Sequence, residues 1–441
     1  MAEATADSLV EATTADHSES EEEERQFTLT QAIALNTLMM FGTGPFITIP
    51  FCIASTEPAG PQALIGYAIA GLACVCDSFI WAELGALYPH SGGSYVYLER
   101  CLGPKWGRLM SFLFLWQLLI TGPMEIASGF IAIAQYLAYI TEVYTYAHHS
   151  LVAFGFCITC IVLLYRDMKD VGDTTVVLWL GMCGAIVFTV IAGYANFDTD
   201  NFEMPAIENK GALIWSLGNA ARFGIYDFTG YYDVCFIGNE VQNPRRTIPI
   251  ACIVTCVVVC AVYFLTYTAV MAYLPWQEFV ALVNADGVAA AYIMSIFCER
   301  MFGRGFAIFF TLVVIYCIYG SCFSLMLGFA QIPYAAAQND MFFPMFAHEH
   351  PTGKFADNSL LYMGVLSCVF CFVDLGVVIE GMMVTTLVTM FLANSVALIA
   401  HRWNRPEAER PYTMPLYPLP VIVQVRALKK SCFTFFVCYP I

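Results

Sequence analysis

Charged side chains are scarce in this sequence. They make up 12% of its 441 residues, whereas hydrophobic residues make up 59%. A soluble domain averages about 25% charged residues, so this composition excludes an ordinary soluble protein. The sequence also lacks the basic stripe that nucleic-acid binding requires. The composition therefore predicts a polytopic membrane protein, which has the lipid bilayer as its surroundings.

Lys and Arg are absent from the first 24 positions, although nine Asp and Glu residues lie there. This polar segment has no aromatic residues, so it cannot bury enough apolar surface to fold alone. It also lacks the basic start and apolar core of a signal peptide. Residues 1–27 are therefore predicted to form a disordered acidic tail.

The sequence shows none of the clusters that metal or catalytic chemistry needs. Most of its 18 cysteines lie in apolar runs, where free Cys behaves as a small hydrophobic residue. Cys157 and Cys160 have the CxxC spacing but no second pair or neighbouring His. No nucleophile–base pair or phosphate-binding loop is present. We therefore expect no enzyme activity, no bound metal and no cofactor.

Long apolar runs dominate the rest of the chain. A membrane-spanning helix needs about 20 mostly apolar residues, and these runs are too long and continuous for β-barrel strands. Ten candidate spans follow one another, at about residues 30–54, 63–87, 106–139, 150–165, 173–194, 212–237, 249–273, 304–336, 359–376 and 381–401. An all-α transmembrane core at 28–402 is predicted, with five helices in 30–194, five in 212–401, and a tail at 403–441.

The basic residues predict the orientation of these spans. Of the 19 Lys and Arg residues, only Lys210, Arg300 and Arg304 fall on one side, and Arg222 lies inside a span. All the others fall on the opposite side. Because Lys and Arg favour the cytoplasmic side, both termini are predicted to be cytoplasmic, and the plasma membrane is the expected location.

The first span carries a sequence that breaks helices, Gly42-Thr43-Gly44-Pro45-Phe46. Pro45 has no N–H and clashes with the preceding turn, so the helix must kink or open there. The freed amides of Thr43 to Phe46 would then lie at the start of a half-helix, which favours an anion such as a carboxylate. The alternative is a kink that binds nothing.

The sixth span contains two charged residues, Arg222 and Asp227, with Gly224, Thr229 and Gly230 around them. A charge at the centre of a membrane helix costs about 2.5–3.5 kcal/mol on insertion scales, and Gly weakens a helix by about 1 kcal/mol. This pattern predicts a helix that is interrupted between Gly224 and Gly230. The alternative is a kinked helix with a buried ion pair and no ligand.

The two breaks fall in spans one and six of ten, at corresponding positions of two five-helix halves. Paired interrupted helices of this kind indicate an inverted-repeat transporter with its substrate site at the repeat interface. No residue-level identity between the halves supports the repeat, so it is inferred from spacing alone.

Four motifs resemble those of the amino acid–polyamine–organocation permeases. They occur in family order, as WAELGALYPHSGGSYVYLER at 81–100, EVQNPRRTIP at 240–249, YAAAQNDMFFP at 334–344 and RPEAERPY at 405–412. The resemblance implies a LeuT-like bundle of 5+5 inverted repeats with broken helices 1 and 6. It also implies that Tyr226 closes over the substrate. The family usually has twelve spans, so the last two are expected to be missing from residues 413–441.

Glu125, in the third span, has two interpretations. It could face the site and carry a coupled proton, or it could be a structural partner of Arg222. Some proton-coupled relatives have a Lys in span five, but residues 174–194 contain none, so proton and sodium coupling both stay open. Asp77 and Asp374 are interpreted as structural.

The predicted function is a secondary active transporter that moves amino acids by alternating access. The substrate carboxylate would lie on the amides of Thr43 to Phe46. Its ammonium group would face the span-six carbonyls near Tyr226 and Asp227, in the segment Tyr226-Asp227-Phe228-Thr229. A polyamine carrier is the first alternative, because Asp227 and Glu125 could bind two ammonium groups. A non-transporting sensor or regulatory form is the second.

Overall fold

The computed structural model describes residues 27–427 except 43, 142–145, 167, 286–287, 352, 354, 374, 376–377 and 379–385. The predicted acidic tail, Thr43 and Asp374 therefore lie outside the described residues, apart from Phe27 at the end of that tail. The regular structure in the described part is helical, with one isolated parallel bridge between Phe27 and Val241. This confirms the prediction of an all-α protein.

The α-helices are α1 Leu29–Met40, α2 Gly44–Ala54, α3 Ala63–Leu87, α4 Ser94–Cys101, α5 Gly103–Thr141, α6 Tyr146–Leu164, α7 Met168–Ala195, α8 Lys210–Phe228, α9 Pro244–Tyr273, α10 Trp276–Ala285, α11 Val288–Ala291, α12 Ile293–Phe302, α13 Arg304–Gln338, α14 Asp357–Phe370 and α15 Ala393–Asn404. A π-helix, Leu387–Leu392, precedes α15. Four short 3₁₀ helices lie at Asp200–Phe202, Asp233–Cys235, Gly238–Glu240 and Pro344–Ala347.

Within the described residues, 6 helical stretches are long and apolar enough to cross a membrane. They are Leu29–Ala54, Ala63–Leu87, Gly103–Thr141, Val171–Ala195, Pro244–Tyr273 and Arg304–Gln338. A polytopic membrane protein is thus supported. The other predicted spans coincide with the helices α6, α8, α14 and α15, and the total of ten stays a prediction.

The first span lies at the centre of the bundle. Its most apolar window is 88% buried, against 39–61% in the other five stretches, so protein rather than lipid surrounds it. The helix α1 packs against α7, α9 and α13, whereas α2 packs against α8 and α10. The side chains of Thr28 and Gln31 form a capping box that begins α1.

The first span is interrupted between Met40 and Gly44. Pro45 is the second residue of α2, where a backbone N–H has no partner within the helix anyway. The last carbonyls of α1 would be unsatisfied in an apolar interior. Instead, the Tyr263 hydroxyl donates to the Met40 carbonyl at 2.5 Å and the Ser321 hydroxyl to the Met39 carbonyl at 3.3 Å. These hydroxyls allow the helix to end inside the bundle.

The sixth span ends earlier than the sequence indicated. The helix α8 is continuous through Gly224 to Phe228, so the interruption predicted between Gly224 and Gly230 lies at the end of that interval. A Cβ on Gly224 would lie 2.7 Å from that of Ala70, so this glycine allows close packing on α3. The break follows at Gly230, whose φ is +118°. A Cβ there would lie 2.7 Å from the Met40 amide nitrogen, so the two breaks adjoin.

The segment after residue 412 packs against the bundle, although the sequence indicated a tail. Residues 419–427 are helical, and Gln424 within them is 1% exposed. Its side-chain amide donates to Asp77 Oδ1 at 2.6 Å, and the Tyr231 hydroxyl donates to the other oxygen of Asp77. These contacts support the structural interpretation of Asp77.

A buried ion pair holds the end of α15 to α3. Glu83 is fully buried. Its carboxylate accepts hydrogen bonds from Arg402 Nε at 2.8 Å and from the backbone amide of Met414 at 2.8 Å. The Arg402 guanidinium also lies 4.0 Å from the centre of the Tyr417 ring. Removal of one partner from a buried pair costs about 3–5 kcal/mol. Arg410 Nε lies 3.7 Å from Glu83 Oε1, which is too far for a hydrogen bond that would replace those of Arg402.

We therefore expect Arg402→Met to lower the free energy of unfolding by about 3–5 kcal/mol. Denaturant unfolding of the purified protein in detergent, followed by tryptophan fluorescence, measures this change. Arg108→Met is the matched control, because Arg108 is exposed at the start of α5, and it should change stability by less than about 0.5 kcal/mol. Equal stability of the two variants would contradict the structural role of the pair.

Candidate functional site

A small cavity lies where α1 and α8 end and α2 begins. Its volume is about 30 Å³, which is room for one or two water-sized groups. The walls come from the two breaks and from α5 and α13. The lining residues are Met39, Met40, Gly42, Gly44, Glu125, Ser128, Gly129, Tyr226, Asp227, Thr229, Ser321, Cys322 and Leu325.

The structure brings together about half of the residues that the sequence predicted for the site. Those that line the cavity are Gly42, Gly44, Glu125, Tyr226, Asp227 and Thr229. Those that lie elsewhere are Pro45, Phe46, Phe228 and Arg222, and Thr43 is not described. Phe46 and Phe228 are at most 1% exposed and pack within the core.

Asp227 is the most strongly held polar side chain at the cavity. It is 1% exposed, and its Oδ2 accepts hydrogen bonds from the hydroxyls of Tyr67 at 2.9 Å and Tyr267 at 2.7 Å. The Thr48 hydroxyl lies 2.7 Å from the same oxygen. Oδ1 has no hydrogen-bond partner among the described residues. One oxygen is thus fixed by the protein, and the other is left to accept a hydrogen bond.

The start of α2 adjoins this carboxyl group. A Cβ built on Gly44 would lie 2.9 Å from Asp227 Oδ1, so only a glycine lets the two approach so closely. The first amides of a helix have no partner within it and carry partial positive charge. An acceptor with negative charge and a set of positive backbone donors therefore lie side by side at one end of the cavity.

Thr229 binds the Tyr226 carbonyl, which the sequence suggested would face the substrate ammonium. The Tyr226 carbonyl accepts the Thr229 hydroxyl at 2.8 Å and, more weakly, the Thr229 amide at 3.4 Å. These bonds satisfy the Tyr226 carbonyl at the end of α8. The Asp227 side chain is consequently the better acceptor for a positively charged group.

Glu125 reaches the cavity from α5. This helix is continuous through Gly122 and Pro123. Glu125 is half-buried, and its carbonyl accepts the Ser128 hydroxyl at 2.6 Å. The Arg222 guanidinium lies 5.6 Å from the Phe223 ring, outside the cavity lining. The site therefore has two carboxyl groups and, among its described lining residues, no Lys or Arg.

Several polar residues that position the site were missed in the sequence. Asn36 donates to the Tyr231 carbonyl at 2.6 Å and accepts from the Val234 amide at 2.8 Å, so it joins α1 to the segment after α8. Asp233 is fully buried and accepts from the Ser324 hydroxyl at 2.9 Å. Asn36 and Asp233 could have been found in the sequence, because each is a polar residue within an apolar span.

Comparison with known proteins relates this chain to membrane transporters. The family model described as amino acid permease matches residues 27–440. Cationic amino acid transporter 4 from Homo sapiens is 24% identical over 397 residues, which cover 83% of this chain and 58% of that protein. The Homo sapiens cystine/glutamate transporter is 25% identical over 409 residues, 89% of this chain and 77% of that protein.

A methylthioribose transporter from Bacillus subtilis is 25% identical over 411 residues, 87% of this chain and 82% of that protein. These relatives are transporters rather than enzymes, which confirms the expectation from the sequence. The family match extends over nearly all of the chain, and the apolar helices are those of an integral membrane protein. The chain therefore belongs to the amino acid permease family of membrane transporters.

Proposed function

We propose that this protein is a secondary active transporter that moves amino acids across a membrane by alternating access. The observation that carries the proposal is the buried carboxyl group of Asp227, whose Oδ1 lies beside the start of α2 at a central cavity. The adjoining breaks in the first and sixth spans also support a LeuT-like 5+5 inverted repeat.

The two charged groups of an α-amino acid match this geometry. The substrate ammonium donates to Asp227 Oδ1, and charge-assisted bonds of this kind are about twice as strong as neutral ones. The carboxylate lies on the first amides of α2, at Gly44 and Phe46. The ammonium and carboxylate groups of an α-amino acid are bonded to the same carbon. They therefore fit a site in which the acceptor, Asp227 Oδ1, lies next to the donors, the first amides of α2.

The cavity is too small for the substrate in this conformation. Its volume of about 30 Å³ holds a water-sized group, whereas an amino acid needs several times more. The surrounding elements must therefore separate to admit substrate. The helices α1 and α8 end against one another, so a movement of either half-span opens the same place, as alternating access requires.

Glu125 provides the reason to retain a second candidate, a polyamine carrier. It lies in the cavity wall with Asp227, and two carboxyl groups would bind two ammonium groups. Such a substrate would not use the amides of α2. Proton coupling through Glu125 and sodium coupling are both compatible with the amino acid proposal.

We expect Gly44→Leu to abolish uptake while the protein still reaches the membrane. Any Cβ at this position would approach Asp227 Oδ1 to 2.9 Å, and a leucine side chain would also fill the place of the substrate. Gly184→Leu is the matched control, because a Cβ there meets open space on the outside of α7. Uptake by proteoliposomes, normalised to the amount of protein inserted, measures both. Wild-type uptake by the Gly44 variant would remove α2 from the site.

Competition for uptake distinguishes the two substrate classes. We expect leucine or alanine to inhibit uptake of the best labelled amino acid, and spermidine and putrescine to have little effect. A second ammonium group buried without a partner costs about 3–5 kcal/mol, or about two to four decades in affinity, so a polyamine should bind a site for one amino acid poorly. Inhibition by polyamines alone would replace the amino acid proposal with the polyamine one. Absence of any uptake would favour a non-transporting form.

A further inference from the structure

A second and larger concavity lies outside the substrate site, at the start of α9. Its volume is about 540 Å³, which is in the range of small-molecule pockets. One wall consists of the first three turns of α9, with Arg245 and Arg246 at one end and Ile253 and Val254 at the other. The facing wall consists of Pro411 and Tyr412. We call this concavity the α9 groove.

The two arginines give one end of the α9 groove a strong positive charge. Both side chains are exposed, and neither has an ion-pair partner among the described residues. Nearby Arg402, by contrast, is bound to Glu83. Arg245 and Arg246 also lie in the first turn of a helix, where the helix dipole adds positive potential instead of offsetting their charge. This end of the groove therefore favours an anion.

The rest of the α9 groove is apolar and continues along the outside of the helix. Ile253 and Val254 in the groove are followed along the helix by Val257 and Val258. The side chains of Val254, Val257 and Val258 are 42%, 45% and 52% exposed. The path from Arg246 to Val258 is about 18 Å long at about 1.5 Å per residue. One leaflet of a bilayer has a hydrocarbon thickness of about 15 Å. The groove thus matches an anion that carries a hydrocarbon chain.

We propose that the α9 groove binds an anionic phospholipid. The phosphate-bearing headgroup lies between Arg245 and Arg246, and an acyl chain follows the surface from Ile253 to Val258. Basic pockets beside membrane helices bind anionic headgroups by the same combination of charge and apolar contact. The acids of the neighbouring loop, Glu407 and Glu409, form no ion pair with the two arginines among the described residues, so the charge is available to the lipid.

The test uses the full-length protein purified in detergent, with lipid binding followed by native mass spectrometry. Dioleoyl phosphatidylglycerol is the probe, and dioleoyl phosphatidylcholine has the same chains without net charge. Arg245→Gln/Arg246→Gln removes the proposed site. Lys105→Gln/Arg108→Gln is the matched control, because it removes two exposed charges at the start of α5, outside the groove.

We expect the wild type to prefer phosphatidylglycerol and the Arg245/Arg246 variant to bind it about 25-fold more weakly, from about fivefold for each arginine. The control variant should retain wild-type affinity. Equal binding of the two lipids, unchanged affinity in the Arg245/Arg246 variant, or an equal loss in the control would overturn the proposal. Competition by inorganic phosphate alone at similar concentration would also overturn it in favour of a simple ion site. If the double variant does not fold, each single variant should show a loss of about fivefold.

Discussion

The carboxyl group of Asp227 lies in an apolar bundle, where burial of an unpartnered polar group is unfavourable by several kcal/mol. Its Oδ2 is held by hydroxyl groups from α2, α3 and α9, so the residue joins four helices at one point. The start of α2 beside Oδ1 contributes partial positive charge. These contacts fix one side of the carboxyl group, whereas Oδ1 has no hydrogen-bond partner among the described residues.

The two interrupted spans are fixed to each other as well as to Asp227. Asn36 in α1 binds the backbone at Tyr231 and Val234, and Gly230 packs against the backbone of Met40. The last carbonyls of α1 have no partner within the helix, and they accept hydrogen bonds from hydroxyl groups of α9 and α13. Displacement of one break must therefore disturb the other, which is a physical basis for coupling substrate entry to movement of the bundle.

The features that the sequence revealed were those that conflict with an apolar helix. Gly44, Pro45 and Asp227 each disfavour a continuous membrane helix, so they pointed to the breaks and to one carboxyl group of the cavity. The partners of Asp227 could not be predicted in this way, because the chain has 24 tyrosines and only the tertiary packing selects Tyr67 and Tyr267. The exact position of the break within Gly224–Gly230 could not be predicted for the same reason, since a glycine for close packing and a glycine for opening look alike in sequence.

The proposed function depends most on direct contact between the substrate ammonium and Asp227. It is tested by comparing binding of an amino acid and its N-acetyl derivative to the wild type and to Asp227→Asn. In the wild type, loss of the ammonium should weaken binding by two to three decades, because the buried carboxyl group loses its partner. In Asp227→Asn the difference between the two ligands should shrink to tenfold or less, as a rough bound for neutral hydrogen bonds. The same ratio in both proteins would show that the ammonium binds elsewhere.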